Sequence, residues 1–213
     1  MEKEKHQVDI FGNMKGSKLI MEHITIDLNR LETYWGYYLS IEKMFVETRQ
    51  YVSPSSDNKK TYSDEFTKII LLSCAEIDSI LKYLCELENI DSPNKHYSMS
   101  DYAKLLGKNS CINDFGYIPF YNSSLTEKPI IVFPFVDLDE NKPYANLKWW
   151  ENYQKIKHDR IENVELGNLE NATFSLVAYY VVIRLSMNYL KSSALKEYIE
   201  NGHKSQCLIP CLL

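Results

Sequence analysis

The stretch KIKHDR gathers Lys155, Lys157, His158 and Arg160 within six residues, shortly after the paired Trp149 and Trp150. Histidine moves protons near neutral pH, and neighbouring cations stabilise negative charge that develops on a phosphate under attack. These side chains suit metal-independent RNA cleavage, with His158 as general acid or base and Lys157 and Arg160 neutralising phosphate. The same residues also suit a solvated basic helix face with the tryptophans packed inward, and spacing alone leaves both readings open. If the stretch is helical, Lys157 and His158 point about 100° apart, and His158 lies over Gln154 and Lys155 one turn back.

A second constellation lies in AEIDSILK, where Asp78 and Lys82 stand four residues apart with Glu76 close by. On a helix such a pair forms a surface ion pair contributing roughly a few tenths of a kcal/mol. The acid could instead orient the histidine of a packed neighbour. Arg30 and Arg49, further upstream, are either solvent-facing or contributors to an anion site.

Several long helices must position these groups. Large apolar residues at Ile20, Ile24, Leu28, Leu31, Trp35, Tyr38 and Phe45 follow a three-or-four spacing, which predicts a first helix ending before SPSSDNKK at residues 53–60. A second helix is predicted from Ser63 as N-cap, with Asp64 and Glu65 in its first turn and an apolar face of Phe66, Ile69, Ile70, Ile77, Ile80, Leu81 and Leu84. SMSDYAKLLGK reads as a short helix capped by Ser98 or Ser100 and closed by Gly107. Residues 108–147 carry Pro119, Pro129, Pro134 and Pro143 among aromatics and the run IIVFPFV, which predicts an ordered excursion with one or two short strands. The last segment begins near Trp149, is expected to kink or restart around Asn163 to Glu165, and continues through Leu166, Leu169, Leu176, Tyr180, Ile183, Met187 and Leu190 as the longest helix. The final dozen residues carry no clear pattern.

The 213 residues are 45% hydrophobic and 25% charged, as expected of one globular core. A formal net charge of -5 argues against a general nucleic-acid coat, which needs a cationic face. Five scattered cysteines, with Cys74 and Cys85 inside an apolar helical stretch, read as buried thiols in a reducing compartment. Cys207 and Cys211 lack a second ligand pair, so no metal site is read there. MEKEKHQVDIFG has no apolar signal core, and the run LVAYYVVI is far shorter than the roughly 20 residues of a membrane span. A cytoplasmic protein without membrane attachment is expected. Gly-rich phosphate loops, HExxH, paired CxxC and Gly-x-Ser-x-Gly elbows are all missing from the sequence.

YSDEFTKIILLSCAEIDSILKYLC, SMSDYAKLL, FPFVDLDENKP and above all LKWWENYQKIKHDR followed by LGNLENATFSLVAYYVVI resemble the HEPN superfamily, over roughly residues 20 to 190. The resemblance implies an all-α HEPN-like bundle of four to five main helices, with an irregular Pro- and aromatic-rich insert (108–147) before the last helix. It sets residues 1–18 apart as an N-terminal extension, 19–192 as the helical domain and 193–213 as a tail. HEPN proteins usually dimerise, and many are metal-independent ribonucleases of toxin–antitoxin, CRISPR and phage-defence systems, whose motif is an Arg and a His separated by four to six residues. His158 matches that histidine, while the positions five to seven before it hold Tyr153, Asn152 and Glu151. Asp78 with Lys82 is similar to an acidic-x3-Lys pair that some members carry on the second helix.

The resemblance therefore implies His158, Arg160 and Asp78 as candidate catalytic residues, and Lys155, Lys157, Lys82 and Asn152 as candidate RNA- or phosphate-binding residues. No cofactor is expected. A homodimer acting on RNA or a nucleotide is the leading expectation. The alternative is a catalytically inactive helical module that works through a protein partner.

Overall fold

The structure, a computed structural model, describes residues 28–92, 96–107, 115–119, 132–136, 138–139, 141–142, 144, 147–187, 189 and 208–212. These residues form five helices and a two-stranded ribbon: α1 (Leu28–Glu47), α2 (Asp64–Leu87), α3 (Met99–Gly107), β1 (Phe115–Pro119), α4 (Lys148–His158), α5 (Leu169–Met187) and β2 (Leu208–Leu212). The described chain is thus mostly helical, as the apolar spacing predicts. The proposed start of the first helix at residues 20–27, and the N-terminal extension, lie outside the described residues.

α2 starts where its cap chemistry demands. Ser63 Oγ accepts the Phe66 N–H at 3.1 Å, and Asp64 and Glu65 place negative charge by the amide end. Its other end closes on Asn89, whose φ of 50° is left-handed, while the Asn89 and Ile90 amides return to the carbonyls of Glu86 and Cys85. At the start of α3 the Asp101 and Tyr102 N–H groups donate to the Ser98 carbonyl, and the Asp101 carboxylate accepts both the Ser98 N–H at 3.0 Å and its hydroxyl at 2.9 Å.

α5 is buried on nearly every side and is the central element, against which α1, α2 and α4 pack. Every residue named for the α2 apolar face is buried, as are Leu31, Trp35, Tyr38 and Phe45 of α1. Tyr38 meets Tyr179 edge-on with centroids 5.6 Å apart, and the Tyr179 hydroxyl donates to the Tyr34 carbonyl at 2.9 Å. Cys74 and Cys85 are both buried free thiols.

The C-terminal helical segment is two helices. α4 ends at His158, α5 begins at Leu169, and a single 3-10 turn (Val164–Leu166) lies between them. Asp159 breaks the helix by accepting the Glu162 N–H on Oδ1 at 3.2 Å, and its carbonyl takes the Asn163 amide at 2.7 Å. Asn168 then caps α5, its Oδ1 receiving the Asn171 N–H at 3.0 Å. The longest described helix is consequently α2, at 24 residues, and not the last segment as expected.

The 159–168 connection is strapped to the approach of α2. Ser63 N–H donates to the Gly167 carbonyl and Leu169 N–H to the Thr61 carbonyl, both at 3.0 Å. Gly167 sits so close to α2 that a Cβ there would overlap Thr67 Oγ1.

The aromatic insert is docked by Trp149, whose indole N–H donates to the Pro134 carbonyl at 2.8 Å and whose ring meets Phe135 edge-on. Among the described residues of the insert one strand, β1, forms, and its antiparallel partner β2 lies in the C-terminal tail, with Phe115 opposite Leu212 and Pro119 opposite Leu208. That pairing joins two segments that show no common local signal in the sequence.

Candidate functional site

The last turn of α4 presents the basic stretch because the other face of the helix is apolar. Trp149, Trp150, Tyr153 and Ile156 are buried, so Lys155, Lys157 and His158 are left exposed on the far side. Basic residues in the last turn of a helix also complement the partial negative charge of its carbonyl end. His158 is the final residue of α4, and no hydrogen bond or ion pair holds its ring among the described residues.

Most of the other candidates have partners. Glu151 lies between Lys155 at 2.8 Å and Lys148 at 3.0 Å, and hydrogen bonds from those two lysines hold its carboxyl below the usual range. The Lys157 ammonium stands 5.8 Å from the centroid of the Tyr153 ring. Arg160 turns away from α4 to reach Asp64 at 2.6 Å. Asn152 points inward and donates to Asn171 Oδ1 at 3.2 Å, joining α4 to α5.

Asp78 and Lys82 are both exposed on α2, but no ion pair joins them among the described residues. Asp78 Oδ1 instead accepts the Tyr102 hydroxyl of α3 at 2.9 Å. Burial pushes the Tyr102 phenol well up, and the Asp78 charge pushes it further. Asp78 also stands near enough to α4 to affect Tyr153, whose phenol is pushed up to about 12 by burial first, then by Cys74 and Asp78. The side chain that this carboxylate orients is therefore a tyrosine.

One polar feature of the core has no counterpart in the sequence reading. Cys74 Sγ donates to Ser175 Oγ at 3.5 Å, Ser175 Oγ donates to the Asn171 carbonyl at 2.8 Å, and Asn171 Nδ2 donates to the Leu166 carbonyl at 2.8 Å. With Asn152 this seam crosses α2, α5 and α4. Burial pushes the Cys74 thiol far up, against the opposing pull of Ser175, so it is no nucleophile near neutral pH. The only signal for the seam is polar residues at otherwise apolar helical positions.

The geometry thus gathers Lys155, Lys157 and His158 at one exposed helix end. It directs Arg160 to Asp64, Asn152 to Asn171 and Asp78 to Tyr102. The described residues contain no group of three or more metal-ligating side chains, and no described helix is long and apolar enough to cross a membrane. No protein-family model matches the chain, and no curated protein or solved structure is significantly similar to it.

Proposed function

We propose that the chain is a HEPN-like protein of a bacterial defence or toxin–antitoxin type system, which works on RNA as a homodimer through the exposed end of α4. The observation that supports this reading is the placement of His158, exposed and without a partner among the described residues, beside the solvent-facing Lys155 and Lys157. In metal-independent RNA cleavage the ribose 2′-hydroxyl attacks the adjacent phosphorus while the 5′-oxygen leaves. One proton is removed and another delivered. His158 can serve one of these transfers, and a second copy of it across a dimer would serve the other. Lys157 neutralises the pentavalent phosphorus centre, and Arg160 joins it once released from Asp64.

A specific observation favours the second reading, an inactive interaction module. Arg160 is held by Asp64 and Lys155 by Glu151, so two cations of the constellation are already matched. The deciding experiment is cleavage of a mixed RNA pool in EDTA by the purified protein beside His158→Ala. Cleavage by the parent alone is the expected result. If neither protein cuts while both remain folded and dimeric, the interaction-module reading replaces it.

A further inference from the structure

Seven large apolar side chains are exposed among the described residues, and three of them fall where the 159–168 connection lies along the approach to α2. Ile161 is 86% exposed, Tyr62 55% and Val164 45%. Isolated exposed apolar side chains are ordinary on protein surfaces. The two segments that carry these three are held side by side by a brace: the Ser63 to Gly167 and Leu169 to Thr61 backbone bonds, the Tyr62–Asn168 bridge and the Arg160–Asp64 pair. The connection is therefore a held surface that keeps much of each of these side chains in water.

Its charge indicates what would cover it. Asp159, Glu162 and Glu165 lie on the connection, with Asp64 and Glu65 at the start of α2. Arg160 is taken by Asp64 and Lys68 by Glu65 at 2.6 Å each, so no cation is paired with Asp159, Glu162 or Glu165 among the described residues. We propose that the α4–α5 connection is a docking surface for a basic segment of a partner protein. That segment places apolar side chains among Tyr62, Ile161 and Val164, and its Lys or Arg side chains meet Glu162 and Glu165. RNA is a poor occupant of the part of the connection around Ile161, Glu162 and Glu165, because carboxylates repel phosphates. A second copy is poorly matched as well, since three apolar side chains on two short segments fall far below the roughly 20–30 residues a side of a stable interface. The inference does not rest on cleavage at His158.

The test titrates a labelled amphipathic Lys/Leu peptide, and a Glu/Leu counterpart, into the full chain at low and physiological salt. The Lys/Leu peptide is expected to bind, and to lose about tenfold in affinity in Ile161→Asp and in the double variant E162K/E165K. Val136→Asp, an exposed apolar site on the insert, serves as control and should bind as the parent does. Thermal midpoints of all variants should match the parent, because the altered side chains are exposed. Equal binding to every variant would mean diffuse attraction to an acidic chain and overturns the proposal, as does no binding at all. Self-association in sedimentation that disappears in Ile161→Asp would assign the surface to a second copy and overturn it too.

Discussion

Arg160 Nη2 lies 2.6 Å from Asp64 Oδ1, so the first cation after His158 is tied to the start of α2 and not directed toward the histidine. The two side chains are 56% and 71% exposed, and an ion pair so open to solvent contributes at most about 1 kcal/mol. Its structural consequence is larger than its energy, because it fixes the direction in which the Arg160 guanidinium points.

Releasing Arg160 should therefore raise RNA affinity if it is a phosphate ligand. Asp64→Asn is expected to leave the urea midpoint nearly unchanged and to tighten RNA binding severalfold. Arg160→Ala should weaken binding and reduce the salt slope by about one. Filter binding at two or more salt concentrations measures both quantities. RNA binding that ignores both substitutions would leave Arg160 as a brace for the connection alone.

Asn152 separates a binding role from a structural one. Its amide is committed to Asn171 between α4 and α5, so Asn152→Ala should cost about 1 kcal/mol of stability by leaving a partly buried acceptor short of a donor. RNA affinity, compared at a temperature where both proteins are folded, should stay within about twofold. A large loss of affinity with an unchanged denaturation midpoint would return Asn152 to the binding surface.

The parts of the fold that could be read in advance are those fixed by short-range chemistry. The Ser63 cap, the α2 face from Phe66 to Leu84, Gly107 at the end of α3 and the inward tryptophans all follow from local periodicity and capping. The C-terminal segment was legible in part: a restart around Asn163 to Glu165 is expected from the sequence, whereas the break already at Asp159 and the new cap at Asn168 are set by side-chain hydrogen bonds. Pairing of β1 with β2, and of Asp78 with Tyr102, depends on contacts between distant segments, which a local pattern does not encode. For the site, the types of residue were legible and their partners were not. Nothing near KIKHDR in the sequence shows that Arg160 meets Asp64, or that Asn152 faces a neighbouring helix.

Asp101 should make the α3 cap sensitive to acid. Burial raises its carboxyl, but the Ser98 N–H and hydroxyl and then Lys104 more than reverse this, so the net shift is downward. A folded carboxyl that titrates below its unfolded value of about 3.9 binds fewer protons than the unfolded chain near that pH, so stability falls as pH falls. The contribution is complete above about pH 5 and is lost as pH drops through about 4 and on through the folded value. Urea unfolding between neutral pH and pH 3 should show a shallower decline in Asp101→Asn than in the parent. Parallel curves would mean that other carboxylates dominate the acid response.

Gly167 tests whether the connection is positioned by close approach to α2. Its backbone is unstrained, with φ of -72°, so the requirement for glycine comes from the space it leaves. An alanine Cβ would run into Thr67 Oγ1, which is itself held by its hydrogen bond to the Ser63 carbonyl at 3.1 Å. Gly167→Ala is expected to cost about 1–3 kcal/mol, the usual range for overpacking. Thr67→Ala alone should cost about 1 kcal/mol through the lost bond. It also removes the atom that alanine meets, so the double variant should be more stable than the sum of the two losses predicts. A favourable coupling of at least about 0.5 kcal/mol in the double-mutant cycle is the expected result. Additive losses would place the cost of Gly167→Ala in a backbone shift of the connection, away from its contact with Thr67.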